Sequence, residues 1–314
     1  MKKISLLLLA TAVILMAVGC SNSDVASEKQ LQKEETKVLI SAVDAKKMID
    51  EGGKITVLDI RETPDYMSEH IPSSINIWRS DYGSTNYEIA GMRAEKEKME
   101  ALLGSLGIDN DTMILLYDNK GGIDGARLFW LLEMYGHEKM ALIDGGIQGW
   151  KASGLDTTTE KTKITPAEYK FKVDIDESKL ATLEDVMAAI DDPNVIILDV
   201  RSLEEATGER LMPGAFRKGR IPTSIHLEYK EAINTGEGQD TTFKTVEELK
   251  AIYEAKGITT DKTIIPYCQS AVRSAHTTFV LTELLGYENV KNYDGSWVEW
   301  SYNKELPIET GEIK

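Results

Sequence analysis

The chain contains few of the residues from which metal centres and disulfides are made. Its 314 residues include two cysteines, Cys20 and Cys268, and four scattered histidines. No histidine adjoins Cys268, so a Cys–His protease pair has no direct support in the sequence. Cysteines and histidines form no cluster with metal-ligand spacing, and we therefore expect no metal site.

Basic residues are also scarce. The net charge is −16, and the sequence has no dense run of lysine or arginine. We therefore expect no nucleic-acid partner, because binding to a phosphate backbone needs a basic surface. The glycine pairs at 121–122 and 145–146 fall short of a phosphate-loop fingerprint. A hydrophobic content of 42% and a charged content of 28% are normal for a globular protein, which excludes disorder throughout.

The amino terminus has the layout of a secretory signal. Two lysines precede an apolar run over residues 4–18, which is too short for a comfortable membrane span. The run ends just before Cys20, and polar residues follow at once. This layout resembles a bacterial lipoprotein signal, although Ala17 stands where that pattern usually has leucine. The resemblance implies a signal peptide over 1–19, lipidation of Cys20, a polar tether over 20–37, and an extracytoplasmic protein anchored to the bacterial membrane. The alternative is an ordinary cleaved signal or an uncleaved anchor.

The two halves of the chain are similar to each other. Residues 57–61 (VLDIR) match 197–201 (ILDVR), and residues 113–117 (MILLY) match 263–267 (TIIPY). A period of this length indicates two copies of a domain rather than a solenoid. We place the copies at 38–155 and 178–312, joined by a linker at 156–177.

Each copy is predicted to be an α/β domain. In the second copy, short apolar strands alternate with helical patterns; the strands are at 195–200, 263–267 and 290–293, and the helices at 246–256 and 274–285. This alternation predicts a mainly parallel sheet with helices on both faces. Pro266 cannot donate to a ladder of hydrogen bonds, so we expect it at the end of its strand.

Cys268 is predicted to lie in a short loop between a buried strand and a helix, where open α/β sheets bind their ligands. Consecutive N–H groups in such a turn form an anion-binding nest, and the helix N-terminus and Arg273 add positive charge. These features favour the thiolate and lower the pKa of the cysteine. A thiolate held in this way can attack a sulfane sulfur and then hold the resulting persulfide. This context favours a nucleophile over the alternative, a buried and inert core thiol.

Several motifs together resemble the rhodanese family, in two copies that cover nearly the whole mature chain. They are the Asp-x-Arg after the early strand, the x-Ile-Pro turn, the Tyr-Cys loop that ends in Arg273, and the closing residues 293–297 followed by Trp300. The resemblance implies two tandem rhodanese-like domains, with Cys268 as the catalytic nucleophile of the second. The first domain is expected to be non-catalytic, because Asp118 stands at the position that matches the cysteine.

The resemblance also implies the residues of the site. The expected substrate contacts are the loop residues Gln269, Ser270, Ala271, Val272 and Arg273, joined by the cations Arg201, Arg210 and Arg220. Asp199 and Arg201 are expected to form a structural pair. Two positions depart from the family pattern: Glu205 stands where long tandem members carry a second arginine, and Arg220 replaces the usual histidine. The loop also lacks a lysine, which leaves thiosulfate, mercaptopyruvate and persulfides open as donors.

Three functions remain open from the sequence. A sulfurtransferase would need no metal or organic cofactor, and its partners would be a small-molecule sulfur donor and a thiol or cyanide acceptor. A phosphatase or arsenate reductase also places a cysteine at a strand–helix turn, but with five residues between cysteine and arginine, whereas this loop has the four residues 269–272. A non-catalytic binding lipoprotein would tolerate the loss of Cys268.

Overall fold

The computed structural model describes residues 37–236 and 240–313. The predicted signal peptide, Cys20 and nearly all of the predicted tether lie outside the described residues. Within the described part, no helix has the length and apolar character needed to cross a lipid bilayer.

The first half is an open α/β sheet with helices on both faces. Its five strands are all paired in parallel, in the order β1-β5-β4-β2-β3. The strands are β1 (Leu39–Ile40), β2 (Ile55–Asp59), β3 (Ser74–Asn76), β4 (Met113–Tyr117) and β5 (Met140–Ile143). The helices are α1 (Ala42–Glu51), α2 (Thr63–Ser68), α3 (Lys96–Ser105), α4 (Ile123–Met134) and α5 (Gly146–Ala152).

The second half repeats this architecture. The strands are β6 (Leu180–Ala181), β7 (Val195–Asp199), β8 (Ile225–His226), β9 (Thr263–Tyr267) and β10 (Asn292–Tyr293), and the helices are α6 (Leu183–Ala189), α7 (Leu203–Ala206), α8 (Val246–Ala255), α9 (Val272–Phe279) and α10 (Ser296–Tyr302). Strands β8-β7-β9 and β10-β6 pair in parallel, and a parallel bridge between Ile264 and Val290 joins the two groups. The strand order therefore matches that of the first half, and the predicted tandem α/β fold is confirmed.

The central strands are apolar throughout because both of their faces are covered. Alternate residues of β4 point to opposite sides, so Ile114 and Leu116 pack in one core cluster and Leu115 packs in another. Pro266 is the penultimate residue of β9 and pairs with Leu198 of β7. On its other side, the hydrogen bonds to the segment before β10 end at Ile264, so the ladder stops where Pro266 has no N–H to donate.

Helix α9 differs from the predicted helix over 274–285. It begins two residues earlier, at Val272, and continues beyond Phe279 as a π-helical segment (Val280–Leu284). A single π turn inserts one extra residue into the helical repeat, which apolar periodicity does not register. The predicted linker runs along the first half without a helix or strand before Glu177, and buries Tyr169 and Phe171. The domain boundaries stay predictions.

The two halves are joined by a shared core and by buried polar contacts. Helices α4 and α9 pack together, with the rings of Phe129 and Phe279 5.0 Å apart in an edge-to-face arrangement. The carboxylate of Asp294 accepts hydrogen bonds from the guanidinium groups of Arg93 (3.2 Å) and Arg127 (2.6 Å). Buried pairs of this kind are costly to break, since the remaining charge would have no partner. The junction therefore holds loops of the first half against the site-bearing end of the second.

Candidate functional site

Cys268 lies directly after β9, at the start of the turn that leads into α9. The turn closes at Ala271, whose φ of 57° places it in the left-handed region that non-glycine residues seldom adopt. The hydroxyl oxygen of Ser296, at the start of α10, accepts hydrogen bonds from the backbone N–H groups of Cys268 (3.2 Å) and Ala271 (3.1 Å). This hydroxyl donates in turn to the carbonyl oxygen of Tyr293 at 2.7 Å. Ser296 therefore fastens the base of the loop in its tight conformation.

The environment of the Cys268 thiol favours the thiolate. Burial opposes ionisation, since the side chain is 1% exposed. This effect is outweighed by the positive charge of Arg273 and by hydrogen bonds from the backbone amides of Ser274 and Ser270, and the pKa of the thiol is lowered. The hydroxyl of Ser274, which has no other partner among the described residues, adds to the lowering. The turn thus forms a cradle of donors around the sulfur, of the kind that supports an anion.

Arg273 pairs with Glu205, the residue that stands where long tandem members of the family carry a second arginine. Its two terminal nitrogens donate to the two carboxylate oxygens of Glu205, at 2.7 and 2.9 Å. Glu205 is 4% exposed and Arg273 is 18% exposed, so the pair is largely removed from water. Burial would raise the pKa of Glu205, but the hydrogen bonds and charge of Arg273 hold it below its usual value. The bidentate pair fixes the guanidinium beside the thiol and partly neutralises it.

The other predicted cations have different surroundings. Arg201 is fully buried, donates to Asp199 at 2.9 Å and stacks 4.6 Å from the Trp297 ring centroid. Arg220 donates to the Gly311 carbonyl oxygen at 2.9 Å and so faces the carboxyl-terminal segment. Arg210 is exposed. The structure brings none of these three guanidinium groups into a hydrogen bond with the cysteine loop, and their substrate contacts stay predictions.

The predicted loop residues lie together in the turn that follows Cys268. Gln269 reaches the carbonyl oxygen of Pro213 (3.2 Å), and its backbone carbonyl accepts from Val298 at 3.0 Å. Ser270, Ala271 and Val272 complete the turn and the first position of α9. Over residues 37–236 and 240–313, no group of histidine, cysteine, aspartate or glutamate has the arrangement to hold a metal ion.

Comparison with known proteins identifies this architecture. The family described as "Rhodanese-like domain" matches residues 41–153 and 182–303. The chain belongs to the rhodanese-like family. It is 36% identical over 286 residues to the "Putative thiosulfate sulfurtransferase" of Saccharopolyspora erythraea, covering 89% of this chain and 98% of that one. It is 39% identical over 273 residues to the "Sulfur carrier protein TtuD" of Thermus thermophilus, covering 83% and 93%.

The family and these relatives make the chain a sulfurtransferase, which confirms the enzyme class expected from the sequence. They decide against the phosphatase, arsenate reductase and binding-module alternatives. Among solved structures, the chain resembles EanB in complex with ergothioneine, with a TM-score of 0.80 and 23% identity over 90% of this chain and 72% of that one. At this level of identity the resemblance concerns the fold.

In the first rhodanese-like half, the turn after β4 forms the same cradle of backbone N–H donors, and the carboxylate of Asp118 occupies it. Oδ1 of Asp118 accepts hydrogen bonds from the backbone amides of Lys120 (2.8 Å) and Gly122 (2.9 Å). Its Oδ2 accepts from Asp124 (2.8 Å) and Gly125 (3.0 Å). The side chain is almost completely buried. A carboxylate therefore occupies the position at which the second half holds its thiol, so the first half has no sulfur nucleophile at this position.

The sequence reasoning missed several residues of the rhodanese-like site. Ser296 lies within the closing motif 293–297, but neither it nor Ser274 carries a charge that would mark it as a site residue. Gly91 belongs to the first half, where a Cβ would lie 2.7 Å from the Cβ of Ser270. Arg79 is on the same connection between β3 and α3, and it is close enough to interact electrostatically with Cys268. The repeat itself was the available signal, because it implied two halves packed together, but it does not reveal which loops meet.

Replacing Asp118 with alanine is expected to destabilise the protein. Four backbone amides would lose their acceptor, and each unsatisfied buried donor costs about 1–3 kcal/mol. We expect a loss of roughly 3 kcal/mol or more in the free energy of unfolding, measured by urea denaturation. Asp111→Ala, which removes an exposed carboxylate paired with Lys139, is the control and should have little effect. Equal stability of the two variants would contradict the cradle role of Asp118.

The pKa of Cys268 is expected to move in opposite directions when the two members of the Glu205–Arg273 pair are changed. Glu205→Gln keeps the shape and frees the charge of Arg273, so the pKa should fall and the thiolate fraction at neutral pH should rise. Adding Arg273→Gln to this variant removes the cation without leaving a buried carboxylate unpaired, so the pKa should rise above the native value.

The measurement is a pH titration of the thiolate absorbance, corrected with Cys268→Ser. Glu204→Gln removes an exposed neighbouring carboxylate and serves as the matched control. A common pKa for the native protein and all of these variants would show that the pair does not control the thiol.

Proposed function

We propose that the chain moves a sulfane sulfur from a small donor, through a persulfide on Cys268, to a thiophilic acceptor. The observation that carries this proposal is the buried Cys268 thiol itself. It lies at the end of β9 in a cradle of amide donors, beside a guanidinium, with its pKa lowered. A lowered pKa supplies the nucleophile, and the same cradle suits the anionic outer sulfur of the persulfide.

The reaction proceeds in two displacement steps at sulfur. The Cys268 thiolate attacks the outer sulfur of thiosulfate, the sulfur–sulfur bond of the donor breaks, and sulfite leaves with the bonding electron pair. Cyanide or a thiolate then attacks the outer sulfur of the persulfide, and the Cys268 thiolate is restored as the leaving group. With mercaptopyruvate, the thiolate would attack the donor sulfur, the carbon–sulfur bond would break, and the enolate that leaves would take up a proton to become pyruvate. With a persulfide donor, the sulfur–sulfur bond would break and a thiolate would leave.

The proposed donors and acceptors draw support from the relatives. The protein of Saccharopolyspora erythraea is named for thiosulfate, and that of Thermus thermophilus is named a sulfur carrier. The first name supports thiosulfate as a donor here. The second supports a persulfide that passes its sulfur to another molecule, such as a thiol or a reduced protein, rather than to cyanide alone.

We further propose that Cys20 is lipidated and anchors the protein to the outer face of the bacterial membrane. The support is the sequence alone: a basic start, an apolar run over residues 4–18, and a small residue before Cys20. A lipid on one end would hold the sulfurtransferase at the membrane while the polar tether leaves the folded part free in water.

Sulfur transfer is tested with thiosulfate and cyanide, following thiocyanate, in the full chain purified in mild detergent. The native protein should be active and Cys268→Ser should have no measurable activity, because no other described side chain can carry the sulfur. Mercaptopyruvate and a small persulfide are tested in the same way. If no donor gives turnover, and intact mass shows no added sulfur on the native protein, the proposal is wrong.

Lipidation is tested by expressing the chain in bacteria fed with labelled palmitate. The native chain should incorporate label and sediment with membranes, whereas Cys20→Ser should carry no label. Cys268→Ser is the matched control, since it removes the other cysteine and should keep the label. Label that persists in Cys20→Ser would contradict the proposed anchor.

A further inference from the structure

Two guanidinium groups interact electrostatically with the Cys268 thiol, and they differ in which of their N–H donors remain unused. Arg273 uses both terminal nitrogens on the carboxylate of Glu205. Arg79 is bound through Nε, which donates to Oδ1 of Asp124 at 2.5 Å. Its terminal nitrogens form no hydrogen bond with a described residue, and its side chain is 38% exposed. Arg79 therefore presents a free, two-pronged donor edge to solvent, while Arg273 does not.

Arg79 reaches the site from the opposite half of the molecule. It lies in the connection between β3 and α3, which covers the cysteine loop closely enough for Gly91 to touch the Ser270 side chain. The same connection is tied to the second half by Arg93, whose backbone N–H donates to Asp294 at 3.1 Å. Burial opposes the charge of Arg79, but Asp124, and more weakly Tyr82 and Cys268, outweigh it and raise the pKa of the guanidinium. The group is a permanent cation near the thiol.

The position of Arg79 is prepared by the first half. Asp124 is almost fully buried, and its backbone N–H is held by the Asp118 carboxylate at 2.8 Å. On the other side, the guanidinium carbon of Arg79 lies 5.0 Å from the ring centroid of Trp78. The hydrogen bond at Nε and the Trp78 ring hold the guanidinium in place before a sulfur donor binds. Binding of a donor to the terminal nitrogens therefore costs little side-chain entropy of Arg79.

We propose that Arg79 binds the anionic end of the sulfur donor and directs its outer sulfur towards Cys268. This inference rests on the proposed function and narrows its substrate class to small donors that carry an oxyanion, such as the sulfonate-like group of thiosulfate or a carboxylate. Arg79 also supplies the second cation that the family pattern places at position 205, where this chain has Glu205. The first half, which has no cysteine, thus contributes a substrate-binding residue to the second.

The test compares the native full chain with Arg79→Gln and Arg79→Lys, using thiosulfate as donor and cyanide as acceptor. In Arg79→Gln, the KM for thiosulfate should rise by about tenfold or more, the loss expected for one charge-assisted hydrogen bond, while kcat changes far less. Arg79→Lys should recover part of this loss, since it keeps the charge but not the fork. Lys46→Gln, which removes an exposed charge on α1, should match the native protein.

A second readout does not depend on sulfur transfer. The alkylation rate of Cys268 is measured by mass spectrometry with iodoacetate, which is anionic, and with iodoacetamide, which is neutral. Arg79→Gln should lower the ratio of the two rates several-fold and leave the iodoacetamide rate near the native value. The double variant Arg79→Gln with Asp124→Asn, which leaves no buried carboxylate unpaired, should show the same fall.

The outcomes separate this inference from the proposed function. An unchanged KM and an unchanged ratio in Arg79→Gln would overturn it, and so would an equal collapse of both alkylation rates, which indicates a structural role. If the native protein transfers no sulfur, but Arg79→Gln still lowers the preference for iodoacetate, the anion site is supported and the proposed function is wrong.

Discussion

The structure depends on one constraint, which is that a tight turn from a buried strand into a helix leaves several backbone N–H groups aimed at a single point. Buried donors without an acceptor are costly, so an anion has to occupy that point. The first half satisfies the donors with the carboxylate of Asp118. The second half places the thiol of Cys268 there and stabilises its ionised form. The same constraint therefore produces a fixed scaffold in one half and a reactive sulfur in the other.

Each half covers the strand–helix loop of the other half, which is the loop after Cys268 in the second half and the loop after Asp118 in the first. Gly91 of the first half packs on Ser270, and in the second half Ile233 and the Thr241 carbonyl oxygen pack on Gly121. His276 donates to the Gly121 carbonyl oxygen at 3.1 Å, and burial lowers its pKa to about 4, so it stays neutral in this contact. The half without a cysteine is thus a wall of the site as well as a support, which gives a physical reason for a catalytic centre built from a tandem repeat.

Local patterns predicted much of the fold. The strand over 263–267 was predicted with the bounds it has, because a run of five residues that is rich in β-branched and aromatic side chains is too short for a helix and favours a buried strand. The helix over 246–256 ends one residue earlier than predicted; its start is marked by the capping box of Thr245 and Glu248. The π segment after Phe279 and the packed course of the linker were not predicted, because both follow from contacts between distant parts of the chain.

The repeat, the parallel α/β class and the position of the cysteine at a strand–helix turn follow from the sequence alone, because each depends on neighbouring residues or on a fixed period. Which charges surround the thiol depends on how distant segments pack together. Glu205 and Arg273 are 68 positions apart and form a bidentate pair. Arg79 arrives from the other half. Electrostatic effects depend on distance and burial in space, and these are set by how the two halves pack, which no local pattern records.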